Sequence, residues 1–428
     1  MKKHCILLFI GFFSLNSSVF AQDFWEILQF PDSVIISSLA VNTQGNIFVI
    51  TRTEQVVDGV YRSQNGGETW ELVYHFFQTA GGNSIAINEE GAIYIVTNQG
   101  LNNLLISYDN GNTWTSKSLP LYNGGAAVKI VTGGIDTLYV SKWDWGATLI
   151  RSVDDGNTWE LLFESPGYGD EYVTDILQTV GGTLIIALKG YDLETGGVFM
   201  SSDDGNTWEL IALPSHQIMD IEFDTSGNLL ITDRSDLVNG MGGIYRYDFI
   251  NQQTDTLLYG PSICGILNVT ENEIFASAPF GVLFSNNGLN FNYLNSGIPF
   301  QSQMGELHLD SQQYIYSIFF TGSNYIFKST DAVAIKRKIN IANHFFNIFP
   351  NPCCAESNFC FTLERECNVE LLLSDMSGRE IKKVIPGVKP AGTHTFQWNL
   401  RPIASGMYVY FLILDGKLAD VKKMSVTN

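Results

Sequence analysis

From about residue 24 to residue 330 the apolar positions come in short runs, each closed by glycine, asparagine or aspartate. SSLAV (37–41) is followed by a glycine turn and GNIFVI (45–50), then by GVYRS (59–63) and WELV (70–73). NSIAI (83–87) and GAIYIV (91–96) open the next round of the same pattern. Runs this short between turn formers predict strands, and the 3.6-residue stripe of helical repeats is absent. A unit of four short strands recurring every 40 to 50 residues predicts the blade of a β-propeller. Solenoid β-helices need much shorter periods.

An eight-residue phrase marks the turn between third and fourth strands. SQNGGETW ends at Trp70, SYDNGNTW at Trp114, SVDDGNTW at Trp159 and SSDDGNTW at Trp208, with tryptophans 44, 45 and 49 residues apart. A worn copy, FSNNGLNF, ends at Phe291, 83 residues past Trp208, which leaves room for two periods. IYRYDFINQQTDTL (244–257) stands where the intervening copy belongs, and FKSTD (327–331) begins a last copy without its tryptophan. That makes seven units. The last lacks a fourth strand, and QDFWEILQF near the N-terminus resembles the TWEL opening of the others, so residues 24–30 are expected to close it.

The pattern S-x-[D/N]-x-G-x-T-W closely resembles the Asp-box, or BNR repeat, of sialidases, certain endoglucanases, sortilin-like receptors and many non-enzymatic propellers. Ser63, Asn65, Gly67 and Trp70 form the first copy, with Asn65 where the family has Asp. Ser107, Asp109, Gly111 and Trp114 form the second. Ser152, Asp154, Gly156 and Trp159 form the third, and Ser201, Asp203, Gly205 and Trp208 the fourth. The resemblance implies a fold, since unrelated functions share the motif. These acids are expected to accept bonds from their own turn backbone, with the glycines at positive φ and the Trp ring packed between layers. In a four-stranded meander whose first strand runs downward, the box turns lie on the lower face. The loops between second and third strands, and between units, lie on the upper face.

Upper-face loops of the third to fifth units carry the candidate ligand contacts. They are Trp143, Asp144 and Trp145 in SKWDWGA, then Tyr168, Asp170, Glu171 and Tyr172 in ESPGYGDEY. Tyr191, Asp192 and Glu194 follow in KGYDLETGG, and Arg234 and Asp236 in TDRSDLVNG. Aromatics interspersed with acids suit stacking on sugar rings and bonding to hydroxyls; the alternative is that they fold back over the channel rim. Alignment of the first strands puts Ser38, Ser84, Ala127, Asp175, Asp220, Gly265 and Glu306 in one column. Asp175, Asp220 and Glu306 are the candidates for a general acid and base of glycoside hydrolysis; the alternative is a solvated channel lining.

Charge narrows the field. The chain of 428 residues has a formal net charge of −20, which excludes phosphate-backbone binding as a class. Residues 22–335 hold 36 acids and 10 Lys plus Arg, whereas residues 336–428 hold 8 acids and 12 basic residues. The break at Lys336 marks a boundary, with a linker over 336–345. The resemblance to sialidases would imply three arginines on a substrate carboxylate. Of Arg52, Arg62, Arg151, Arg234 and Arg246, three fall on outer third strands, which leaves no triad. The xyloglucan-active endoglucanases that share the motif pair two propellers, and this chain has one. No nucleophile-elbow, zincin, P-loop or EF-hand pattern occurs, and six His without paired spacing give no metal site, so no cofactor is expected.

Residues 346–428 read as a small antiparallel Ig-like β-sandwich. Phe349, Pro350, Asn351 and Pro352, then Asp375 and Gly378, then Ala404, Ser405, Gly406, Met407 and Tyr408, and last Lys422 and Lys423 strongly resemble the type A sorting domain of the type IX secretion system of Bacteroidota. The ending KKMSVTN departs mildly from that family. The resemblance implies passage across the outer membrane, then release or surface attachment. Cys353, Cys354, Cys360 and Cys367 cluster there, and one or two disulfides are expected; the rival is a zinc site, but the spacing CC-x5-C-x6-C matches no common zinc pattern. Residues 1–21, with Lys2 and Lys3 before a short apolar run and Ala21 before Gln22, read as a secretory signal. The mature chain has no stretch of membrane-spanning length.

The expectation is therefore an all-β chain: a seven-bladed propeller over 22–335 followed by a sandwich. It is exported to the cell surface or medium and monomeric, and its partners are an extracellular glycan or surface protein and the secretion machinery. The sequence favours non-catalytic binding, with glycoside hydrolysis of extracellular polysaccharide as the alternative.

Overall fold

The structure is a computed structural model. It describes residues 23–427 except 31–33, 53–57, 77–81, 98–103, 121–125, 144–145, 166–170, 180, 191–194, 237–240, 271, 299–303, 320–324, 334–345, 354–355, 364, 376–379 and 416. The described residues form antiparallel β-sheets throughout.

Each repeat in the sequence is one meander. In the first, Ile35–Val41, Ile47–Arg52, Gly59–Ser63 and Glu71–His75 pair in order. The second strands are buried on both faces, which is why their sequences are unbroken apolar runs: Ile47 to Ile50 are wholly buried, as are Leu184 to Ala187. The turn from first to second strand is a second repeated device. Asn42 Oδ1 accepts the N–H groups of Gln44 and Asn46, and Gly45 sits at φ 80°. Asn88, Asp224 and Asp310 repeat this arrangement in later units.

Residues 25–329 hold five four-stranded sheets and one eight-stranded sheet, the latter two meanders joined at Lys189 and Gln217. Ile35–Val41, Gly82–Ile87, Ala126–Thr132, Tyr172–Gln178, His216–Phe223, Gly265–Asn268 and Met304–Leu309 are the inner strands. Each touches the next, and the last touches the first, so the sheets close into a ring around a channel. The last sheet takes its outer strand from the N-terminal end: Trp25–Gln29 pairs antiparallel with Tyr325–Ser329. Trp25 is 1% exposed, and its indole N–H donates to the Leu294 carbonyl at 2.7 Å.

The C-terminal residues form a three-stranded and a four-stranded sheet that share one core. Phe359, Phe361 and Trp398 of the first face Leu371, Tyr410 and Leu412 of the second. Cys353, Cys360 and Cys367 are free thiols, so the disulfides expected among them are not formed; Cys354 lies outside the described residues.

Candidate functional site: box turns and central channel

The box turns are closed by short-range bonds. Ser107, Ser152 and Ser201 each accept the N–H of the glycine four residues on, at 2.9, 2.7 and 2.9 Å, and donate to Asp109, Asp154 and Asp203. Ser63, Asn65 and Gly67 do the same in the first unit. Each of these aspartates then accepts the backbone N–H and hydroxyl of the threonine four residues on. The Thr158 hydroxyl and N–H hold Asp154 down to about 2, and Thr113 holds Asp109 below its ordinary range in the same way. The indoles of Trp114, Trp159 and Trp208 donate back to the carbonyls of Gly111, Gly156 and Gly205.

The second acid of each DDG has a different role. Asp155 and Asp204 sit at φ 59° and 62°, a strained region for a side-chain-bearing residue. Both reach back to the preceding repeat. Asp155 accepts the Tyr94 hydroxyl at 2.7 Å and bonds Tyr108, and Asp204 pairs with Arg151. These acids tie one sheet to the next. Arg62, Arg151 and Arg246 are likewise consumed, by Glu71, by Glu160 with Asp204, and by Asp224.

In the channel, a polar residue on several of the inner strands accepts a backbone N–H of the next strand. Ser38 Oγ accepts from Ile85 and Ser84 Oγ from Ile130, both at 3.3 Å; Asp220 Oδ2 accepts from Ile266 at 2.9 Å. This register corrects the expected column at one place: the third-unit member is Lys129, not Ala127. A bulge between Ala127 and Lys129 shifts the strand, and Ala127 is buried. Lys129 was missed although the signal was present. Every column residue directly precedes a leucine or isoleucine (Leu39, Ile85, Ile130, Ile176, Ile221, Ile266, Leu307), as Lys129 does, whereas Ala127 precedes Val128.

Asp175, Asp220 and Glu306 are thus brought together, with Lys129 among them. Lys129 pairs with Glu306, and His308 lies 3.7 Å from the other Glu306 oxygen. Burial pushes Asp220 well above the ordinary carboxylate range, and the neighbouring Asp175 pushes it further. Burial raises Asp175 too, against the pull of Lys129 and a hydrogen bond with Asp220. For Glu306 burial works upward, but Lys129 outweighs it and holds the group low. Burial also keeps His308 below its ordinary value. Lys129, Glu306 and His308 line a cavity of about 260 Å³, together with Tyr172, Met219 and Phe319 and, on its polar side, Ser37, Asn83 and Thr174.

Of the upper-face candidates, Trp143 ends its strand 41% exposed, and Arg234 is exposed. Glu171 is not on the surface: it is fully buried, and one carboxylate oxygen accepts the Ser165 hydroxyl at 2.7 Å. Its chain position just before Tyr172–Gln178 turns it inward. Tyr172 lies under the Lys189 ammonium. Asp144, Trp145, Tyr168, Asp170, Tyr191, Asp192 and Glu194 lie outside the described residues. Among the described residues no group of three His, Cys, Asp or Glu is arranged to hold a metal.

No family model matches the chain, and no curated protein matches it. Solved structures do. YCF48 from Cyanidioschyzon merolae aligns with a TM-score of 0.53 at 13% identity, covering 71% of this chain and 98% of its own. YCF48 bound to D1 peptide aligns with a TM-score of 0.55 at 16% identity, over 73% and 98%. A catalytically inactive virginiamycin B lyase from Staphylococcus aureus, solved with quinupristin, aligns with a TM-score of 0.54 at 14% identity, over 71% and 98%. At such identities the likeness concerns the fold: a β-propeller.

Proposed function

We propose that this chain is an exported, seven-bladed Asp-box propeller that binds an extracellular glycan or surface protein through its upper face without chemistry. Residues 1–21 direct export, and residues 346–428 act as the type IX sorting domain. The supporting observation is a division of labour among the polar groups. The box acids are occupied by their own turns or by the neighbouring repeat. Asp220 is occupied by the N–H groups of Ile266 and Ile221, at 2.9 and 3.0 Å, and Asp175 lies 3.5 Å from the same Ile221 N–H, so both carboxyls serve the backbone of the channel wall. A ligand would meet the channel cavity of about 260 Å³, which Lys129 and Glu306 help to line, and the rim that carries the exposed Trp143.

The full chain incubated with a panel of polysaccharides and glycoproteins is expected to be retained on one class and to generate no new reducing ends. Trp143→Ala should weaken that retention about 3- to 10-fold, the worth of one aromatic stacking contact. New reducing ends, abolished by Asp220→Asn, would establish the hydrolase instead. Retention unchanged in Trp143→Ala would remove the rim from the binding surface.

A further inference from the structure

The fifth repeat lacks its box, and the structure shows what stands there. Leu229 pairs with Tyr247 as Leu184 pairs with Ser201, so Tyr247 occupies the position of the box serine. Two residues further on, Phe249 occupies the position of the box aspartate. The box serines are buried, as Tyr247 is at 5% exposed, but Asp109 and Asp203 are exposed whereas Phe249 in their position is 3% exposed. Their rings meet edge to face with centroids 5.0 Å apart. On the lower rim of a propeller, two such rings need a cover.

The C-terminal module supplies it. In strand Gly406–Leu414, Tyr408, Tyr410, Leu412 and Leu414 point into the module's own core. The alternate residues Val409, Phe411 and Ile413, with Leu372 of the neighbouring strand, join the cluster that holds Met200, Tyr247 and Phe249. All four are at most 4% exposed. A strand apolar on both faces needs cover on both. The other sheet of the module differs: Gly392–Asn399 alternates exposed polar and inward residues, as a sheet facing water does. A cavity of about 130 Å³ runs along the seam between Ile211, Tyr247 and Phe249 on one side and Val409 and Phe411 on the other. No disulfide crosses the seam among the described cysteines.

We propose that the fifth-repeat turn has been converted from a box into a dock for the outer sheet face of the C-terminal module, holding it to the propeller's lower face without need of the connecting segment. The dock lies opposite the ligand face, so it is independent of the binding reading above. It also gives a scission in 334–345 a defined consequence: the module stays until the apolar seam is opened.

A specific protease site placed within 336–345 of the full chain tests this, with the cut protein run on gel filtration at micromolar concentration. The two pieces are expected to co-elute. Phe249→Asp, which puts the residue of the second, third and fourth repeats into the fifth, should weaken association on the order of a hundredfold and separate them. Val409→Asp makes the same break from the module side, and thermal melts of the uncut variants distinguish a lost dock from a misfolded part. Separation of the unmutated pieces, or co-elution of both folded variants, would overturn the proposal.

Discussion

Aspartates on the lower rim and aspartates in the channel are the same side chain under opposite pressure. Asp109, Asp154 and Asp203 each collect donors from within four residues and sit below the ordinary carboxylate range. Asp175 and Asp220 face each other inside the ring and sit above it, with burial as the main cause. On the rim, ionisation is what the turn needs. In the channel, it is what the fold resists, and Lys129 relieves only part of it. An acid pair in sequence therefore says nothing about chemistry until its donors are counted.

The rim side of this comparison breaks most easily at the serine. Ser201 is wholly buried, and its hydroxyl both accepts the Gly205 N–H and donates to Asp203. Ser201→Ala leaves that N–H without a partner and loosens the aspartate, so a loss of about 1–3 kcal/mol is expected in chemical denaturation. The pH dependence follows from the depressed values. The contribution of these acids is complete above the unfolded pKa near 4 and is lost as pH falls toward about 2, the folded value of Asp154. The wild-type melting temperature should fall through that window, and Ser201→Ala should flatten the fall.

The two regions were also unequally legible. The box could be read from residues alone because its bonds span two to four positions, so the motif and the geometry are the same object. The channel bonds span about 46 residues, from Asp220 to Ile266 for example, and one bulge displaces the partner. That is why Asp175, Asp220 and Glu306 were found while Lys129 was mistaken for Ala127. Glu171 looked like a surface acid because its loop is rich in glycine and aromatics, yet its side chain turns in to Ser165. The loss of the box in the fifth repeat was visible. Its cause was not, because the covering residues Val409 and Phe411 lie some 160 positions away.

Lys129 tests the channel side. Its ammonium pairs with Glu306 and reduces the repulsion felt by Asp175 and Asp220. Lys129→Met should destabilise the chain by about 1 kcal/mol, a modest figure because the Glu306 side chain is 45% exposed and water screens the pair. The sign with pH is that of a depressed acid for Glu306: the loss is full above the unfolded value near 4.3 and disappears as pH falls below it. A melting curve that separates wild type from Lys129→Met equally at neutral and acid pH would remove the pair from the account.

The smallest effect, and the one that divides the two regions most sharply, belongs to Asp220→Asn. On the rim, neutralising an acid costs the turn its acceptor. In the channel, the folded pKa is raised, so the penalty for ionising Asp220 is present above the folded value and relieved as pH falls toward the unfolded one. Asparagine carries no charge and keeps one oxygen for the Ile266 N–H. The Ile221 N–H, which loses an acceptor at 3.0 Å, still has Asp175 at 3.5 Å. The variant should therefore be about 0.5 kcal/mol more stable than wild type at neutral pH, and the gain should vanish on acidification. A destabilised variant at neutral pH would mean that the channel acid works as the rim acids do, through its ionised form, and that its burial is offset by Lys129 after all.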